Sequence, residues 1–420
     1  MKFRTILNYI HKIPGFVYAQ IRLLENERGD GRVEVEVRPR AGCKPVCSVC
    51  GMPGPGYDRL RTRRFQFVPL YGLPVYFLYA MRRVNCTWCG KVKVERVPWA
   101  DGKRPVTKAF SWTLAGWARR RSWQETAQIF GVSWDRVRRS VSMAVDWGRA
   151  RVDLSDVKTI GVDEIAWHKG HRYLTLVYQI DQGCRRLLWV GEHRRIKTLE
   201  AFFDWFGQLR SSQLQVVCSD MWKAYLSVTR RRAENAVRVL DRFHIMQKRS
   251  KAIDKVRAAE ARRLKAAGSR PLLKNARWLL LKWRRNLSAK QVPRLEEILQ
   301  HNLNTVRAYL LKEEFRQFFA LDAPEQAAHF LTRWRKRVQR SRIKPLIGFA
   351  NMLQNHQPLV LNWFSTGKQH SSGAVEGMNL KAKLALRKAF GFRSYQNYEL
   401  ALYHTLGHLP APDDAHRFCG

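Results

Sequence analysis

No stretch of the 420-residue chain approaches the roughly eighteen consecutive apolar residues that cross a bilayer, which excludes a helical membrane protein. The opening MKFRTILNYIHKIPGFVY lacks an apolar core followed by a small-residue cleavage site, so it does not read as a secretory leader. Internal repeats and low-complexity tracts are missing, which argues against solenoid and fibrous architectures. Of the eight cysteines, four form two tight pairs, which in a reducing compartment suggests metal rather than disulfide. Acids are the scarcest charged class: 34 Asp and Glu stand against 77 Lys and Arg, for a formal net charge of +43. From Gln326 to Leu400 only Glu376 and Glu399 are acidic, among thirteen lysines and arginines.

The remaining composition is that of a folded protein. A 45% hydrophobic content with 11% aromatics, including 15 tryptophans, can build the cores of two or more domains. Self-repulsion at this charge works against compaction, so a polyanionic partner is expected, and helices carrying both basic and aromatic residues fit nucleic acid better than a membrane surface. A soluble, cytoplasmic, nucleoid-associated protein follows as the expectation. Five zones are expected: 1–100, a zinc-binding domain of short strands and turns; 101–152, a helix-turn-helix; 153–246, alternating strands and helices; 247–355, a basic, all-helical insertion; and 356–410, a return to the core. Within the insertion Leu299, Leu303, Val306 and Leu310 repeat at helical spacing, and Trp278 and Trp283 are read as helical core.

Two copies of CxxCG, Cys47-Ser-Val-Cys50-Gly and Cys86-Thr-Trp-Cys89-Gly, offer four thiolates for a closed, structural tetrahedral Zn2+ site in a ribbon-like module that touches DNA. The separation of the pairs exceeds the compact zinc-finger range, and the intervening strands could form a long hairpin. The alternative is four buried structural cysteines, and Cys43 is a spare ligand. In SWQETAQIFGVSWDRVRRSV (122–141), Ala127, Gly131 and Val137 occupy the small, turn and core positions of a helix-turn-helix. Ser122 and Glu125 form a capping box and Ser133 caps the second helix. Arg136, Arg138 and Arg139 on that second helix are the groove-reading candidates, with a purely structural hairpin as the alternative.

The order of elements from Val157 to Asp241 carries the chemistry. TIGVDEIAW (159–167), YLTLVYQID (173–181) and RRLLWVGE (185–192) read as three linked strands, followed by a helix (198–210), a buried strand LQVVCSD (214–220), another helix and a fifth strand NAVRVLDRFH (235–244). This is the ribonuclease-H-like order, so a mixed α/β core with an all-α insertion is expected. Asp163 on the first strand and Asp220 at the end of the fourth then meet at one sheet edge. Glu164, the neighbour of Asp163, points to the opposite face by strand alternation. Glu376 is the third acid, on a late helix whose buried stripe is Val375, Met378, Ala382, Leu386 and Ala389. Taken alone, each acid has a plainer role: Glu376 as a helix-dipole partner, Asp220 as a cap. His244 is either a neighbour of this site or a core histidine, Asp241 is a weaker fourth acid, and His168 and His171 belong to a hairpin turn.

GVDEIAWHKGHRYLTLV (161–177), VVCSDMWKAY (216–225), VLDRFHIMQK (239–248) and GAVEGMNLKAKLALRKAFGFRSY (373–395) together resemble bacterial insertion-sequence transposases of the DDE class, specifically the ISL family. The resemblance covers most of the catalytic region. It implies Asp163, Asp220 and Glu376 as a triad holding Mg2+ or Mn2+, with Lys383, and Arg387 beyond it, on DNA. In-line phosphodiester displacement with two divalent ions needs such acids, and a lone glutamate in a basic field then makes sense: the cations gather DNA and the carboxylate holds the ion. The implied partners are the element ends and target DNA, bound by a homo-oligomer. A regulator that has lost catalysis, or a structure-selective nuclease on the same core, is the alternative.

Overall fold

The computed structural model describes residues 3–25, 31–168, 170, 172–368, 373–389 and 391–413; His171, in the hairpin turn, lies outside them. Two compact units emerge, one of Met1–Asp153 with Leu384–Gly420, the other of Leu154–Lys383. Among the described residues no helix is long and apolar enough to cross a membrane.

The first unit starts with α1 (Phe3–Ile10) and a five-stranded sheet of β1 (Phe16–Glu25), β2 (Gly31–Pro39), β3 (Gly56–Leu70), β4 (Leu73–Cys86) and β5 (Lys91–Val94). The order is β1-β2-β4-β3 with β5 also paired to β4. The general expectation of short strands needs correction, while the long hairpin expected between the cysteine pairs is present. β3 and β4 run 15 and 14 residues and form one long hairpin around Tyr71 and Gly72, both at positive φ, a two-residue turn whose twist matches that of the strands. Alternation along β4 buries Val75, Phe77, Tyr79 and Met81 against Phe16, Phe65 and Trp99.

Three helices follow: α2 (Lys108–Arg120), α3 (Trp123–Ile129) and α4 (Trp134–Arg149). Ser122 and Glu125 cap α3 reciprocally and the Ser133 hydroxyl accepts from the Arg136 N–H to cap α4, as read from the sequence. Gly131 takes φ +57° in the turn between them, where a β-carbon would be strained.

The second unit holds another five-stranded sheet, built from β6 (Thr159–His168), β7 (Arg172–Asp181), β8 (Cys184–Glu192), β9 (Val216–Ser219) and β10 (Val237–Leu240), in the order β10-β9-β6-β7-β8. β6, β7 and β8 are antiparallel neighbours, whereas β9 and β10 run parallel to β6. The helical stretch after β8 is broken: Gly207 at φ +88° separates α5 (Ile196–Phe206) from α6 (Gln208–Ser212). Leu199, Phe202, Phe203 and Phe206 of α5 join Tyr225 and Val228 of α7 (Lys223–Arg232) over Val162, Val177 and Val217 of the sheet.

A helical series continues through α8 (Arg242–Ala266), α9 (Arg277–Leu281), α10 (Gln291–Leu299), α11 (Asn304–Phe315), α12 (Pro324–Arg340), α13 (Lys344–Asn355), α14 (Gln357–Ser365) and α15 (Gly373–Lys388); α16 (Tyr395–Leu406) packs on α4. Two readings of the insertion are overturned. The leucine repeat does not lie on one helix: Leu299 ends α10, Leu303 is the N-cap of α11, and Leu310 is 57% exposed. Trp278 is not core either; it is 59% exposed, while half-buried Trp283 has the guanidinium groups of Arg285 and Arg316 against its ring.

Candidate active site and cysteine cluster

Strand alternation sorts the acids of β6. Gly161 and Asp163 point to one face, Val162 and Glu164 to the other. On the first face lies α15. A β-carbon on Gly161 would stand 2.3 Å from Cγ2 of Val375, so the missing side chain is what admits the helix. One turn after Val375, the Asn379 amide donates to Asp163 Oδ2 at 2.5 Å and its oxygen accepts from the Tyr178 hydroxyl at 2.8 Å. Asp163 Oδ1 accepts the Glu164 N–H at 2.8 Å. Val375, Met378, Asn379, Ala382 and Leu386 are buried and Ala389 is half-buried, while Glu376, Leu380, Lys383 and Arg387 are exposed.

On the other face Glu164 meets Arg194, a residue of the loop after β8. Arg194 bridges Glu164 (2.7 Å) and Asp220 (3.4 Å) and lies over the Trp222 ring, 4.3 Å from its centroid. Asp220 Oδ1 also accepts the Trp222 N–H at 2.8 Å, so the carboxylate caps the turn entering α7 while its other oxygen faces Arg194. Glu164 Oε2 is buried without a hydrogen-bond partner among the described residues. Burial pushes the Glu164 carboxyl up to about 7; Arg194 opposes this, and Asp220 and Asp163 add to it. Burial also raises Asp163, against the pull of its Glu164 N–H bond and of His244.

The expected fifth strand is shorter than 235–244. It stops at Leu240 because the Asp241 carboxylate accepts the N–H groups of Phe243 and His244 and starts α8 there. His244 therefore sits in the first helical turn, its Nδ1 2.8 Å from Asp241 Oδ2. That bond raises its pKa, and the charges of Asp163 and Asp220 raise it further. His168 closes β6 at the surface. Asp163, Asp220, Asp241 and His244 thus share one electrostatic neighbourhood, made by the middle of β6 and the residues that follow β9 and β10. The carboxylates of Asp163, Asp220 and Glu376 do not gather within 4.8 Å of one another; among the described residues only the four cysteines do so.

Those four are Cys47, Cys50, Cys86 and Cys89. The Sγ atoms of Cys47 and Cys89 are 3.9 Å apart, those of Cys50 and Cys86 3.4 Å. A tetrahedral ion with Zn–S bonds of about 2.3 Å spaces its sulfurs by about 3.8 Å, so the cluster fits zinc. The backbone N–H groups of Cys50 and Val49 pull the Cys47 thiol down to about 6. Cys43 stands apart, with Sγ 3.8 Å from the Lys44 carbonyl, and is no member of the cluster.

The arginines of α4 are tethered. Arg136 donates to the Gln66 side chain at 3.1 Å, and Arg138 and Arg139 both pair with Asp135, at 3.3 and 2.7 Å. Arg194, Tyr178 and Trp222 were not singled out in the sequence. Only Asn379 carried a signal, standing three residues after Glu376 on a helix.

A family described as transposase, the ISL3 branch of the DDE enzymes, matches residues 160–402. The chain is 31% identical over 426 residues to the transposase for insertion sequence element IS1557 of Mycobacterium tuberculosis, covering 95% of each protein. It is 29% identical over 366 residues to the transposase for insertion sequence element IS1001 of Bordetella parapertussis, covering 85% of this chain and 87% of that relative.

Proposed function

The chain belongs to the ISL3 family of DDE transposases, and from that premise we propose that it binds the terminal inverted repeats of its element and cuts and rejoins DNA at Asp163, Asp220 and Glu376. One observation carries the choice of residues. α15 is locked onto β6 through Val375 against Gly161 and Asn379 on Asp163, which sets Glu376 one turn from the Asp163 contact. The strand order, three antiparallel strands joined to two parallel ones, supports a ribonuclease-H-like core split by the helical insertion.

The donor chemistry fits hard divalent cations, Mg2+ or Mn2+. Half-buried Asp163 lies in the field of Asp220 and Asp241, and half-buried Glu164 in that of Asp163 and Asp220, a cost that a cation relieves. Asp163, Asp220 and Glu376 would hold two such ions, which activate the attacking oxygen and neutralise the leaving one. Asn379 and the Glu164 N–H fix the carboxylate of Asp163, and the Trp222 N–H and Arg194 fix that of Asp220. Lys383, exposed two turns beyond Glu376, and Arg387 hold phosphates near the scissile bond. His244 and Asp241 form an outer pair beside the aspartates. In the first unit, Cys47, Cys50, Cys86 and Cys89 would hold a structural Zn2+. Residues 1–100 act as the zinc-binding domain and 101–152 as the helix-turn-helix, whose Arg136, Arg138 and Arg139 exchange their Gln66 and Asp135 partners for DNA. Residues 153–246 and 356–410 make the catalytic core and 247–355 the insertion. Two ends must be held together, so the active form is a homo-oligomer on DNA.

The test is nicking of end-sequence DNA with Mg2+. Asp163→Asn is expected to lower the rate by about 10³-fold, since the ion-bound carboxylate contributes several kcal/mol to the transition state. Metal-dependent nicking that survives the substitution would reject the triad.

A further inference from the structure

Arg194 is shared unequally between its two acids. Its Nη1 lies 2.7 Å from Glu164 Oε1, while its Nη2 reaches Asp220 Oδ2 only at 3.4 Å, the long end of the hydrogen-bond range. Two further atoms of this group are idle: Arg194 Nε and Glu164 Oε2 are buried and have no hydrogen-bond partner among the described residues. The nearby Tyr225 hydroxyl does not serve Glu164. Thr175 gives its hydrogen to the His193 carbonyl, so Tyr225 spends its own on Thr175, at 3.0 Å. Idle buried donors and acceptors are rare in folded proteins, and a carboxylate can meet a guanidinium with both oxygens. Arg194 and Glu164 thus make only half of the pair open to them.

Asp220 accounts for the other half. Its Oδ1 is held by the Trp222 N–H, so Oδ2 is the oxygen left for an ion, and that is the one Arg194 covers. A guanidinium and a divalent cation at one carboxylate oxygen repel each other. Only the arginine side chain has to move to resolve this. The backbone before it is pinned to β7, where the His193 N–H donates to the Tyr173 carbonyl and the His193 carbonyl accepts from Thr175, both at 2.8 Å. The Trp222 ring, 4.3 Å from the guanidinium carbon, is a flat face on which that group can turn without losing contact.

We propose that Arg194 is the resident counter-ion of Asp220, that a divalent metal ion displaces it, and that Glu164 is its second seat, on which the guanidinium closes with both oxygens. Until then Arg194 holds Asp220 in place and keeps two neighbouring carboxylates neutralised. The inference rests on Asp163, Asp220 and Glu376 being the metal site and adds two residues that govern its filling.

The experiment uses the full-length, zinc-loaded protein without DNA and follows Mn2+ uptake by the electron paramagnetic resonance signal of the free ion, a readout independent of cleavage. Arg194→Gln is expected to tighten Mn2+ binding about tenfold, within the usual range of coupling between two ligands. Glu164→Gln removes the second seat. It is expected to weaken binding about fivefold when Arg194 is present and to have no effect in the Arg194→Gln background. Equal weakening in both backgrounds would mean that Glu164 acts on the ion by its own charge, and weaker binding in Arg194→Gln would make Arg194 a fixed brace; either result overturns the proposal. Melting temperatures without Mn2+ show which variants are folded, and Arg194→Met, which keeps an apolar stem on Trp222, stands in if the glutamine variant is not. Asp163→Asn is the reference. Mn2+ binding that is lost there but indifferent to Arg194→Gln rejects the displacement and leaves the triad standing, whereas binding that survives Asp163→Asn rejects both. A wild type that takes up no Mn2+ leaves Arg194 undisplaced and overturns the proposal, with the triad then judged by nicking alone.

Discussion

At the scale of single residues, the side chains that hold the aspartates matter as much as the aspartates. Asn379 gives one hydrogen bond to Asp163 and takes one from Tyr178. Loss of such an outer partner typically costs 10–100-fold in metal affinity or activity. Asn379→Ala should therefore raise the Mg2+ concentration needed for half-maximal cleavage by about that factor, and Tyr178→Phe by less, because it removes only the outer bond. A metal titration of nicking checks both, and equal Mg2+ dependence in all three proteins would count against the assignment. Asp163, Asp220 and Glu376 were singled out in the sequence because an acid within or ending an apolar strand, or standing alone in a basic helix, is conspicuous. Arg194 was not. It is one arginine in a pair within a loop of a very basic chain, and only the fold sets it between Glu164 and Asp220.

At the scale of elements, the seat of α15 and the burial of α16 make two checks. Gly161→Ala puts a methyl group into Val375. Overpacking of this kind costs about 1–3 kcal/mol, so the melting temperature should fall and cleavage should be lost as α15 shifts. Adding Val375→Ala should restore part of the cleavage; no recovery in the double variant would mean that Gly161 acts in some other way. On α16, burial pulls the His404 imidazole down to about 3, with the charges of Arg119 and Lys388 pushing the same way. An unfolded histidine takes its proton near 6.5. The folded chain therefore keeps this contribution in full above about 6.5 and loses it as the pH falls toward 3. At pH 5 the loss is about 2 kcal/mol. His404→Leu should show a smaller drop in melting temperature between pH 7 and pH 5 than the wild type, and equal drops would refute the linkage. Element boundaries were the least legible feature. NAVRVLDRFH reads as unbroken strand by pattern, yet the Asp241 carboxylate captures two backbone N–H groups and turns its last residues into helix.

At the scale of the whole molecule, the division into two units predicts that they respond separately to loss of metal. The sheet of the first unit has its own core around Phe65, Phe77 and Trp99, whereas the cysteine end has little beyond Cys47, Val84 and Cys86. A chelator at pH 7 should release one zinc per chain and lower the melting transition of the first unit, because binding to four thiolates is linked to folding. In buffer free of Mg2+ and Mn2+ from the start, the transition of the second unit should not move. Calorimetry with elemental analysis measures both, and a chelator that shifts neither transition would speak against a structural ion.

What the sequence determined by itself is whatever depends on composition and short-range spacing. The charge of +43, the two CxxCG turns, the caps at Ser122 and Ser133, and the order of strands from Thr159 onward are local properties, set by chain geometry and side-chain chemistry within a few residues. The tertiary structure decided what depends on distant segments meeting. Asn379 reaches Asp163 across 216 positions of sequence, Val375 fits where Gly161 has no side chain, and Cys43 is left out of a cluster it could have joined by spacing. Such contacts follow from packing, and a one-dimensional pattern carries no record of which faces will press together.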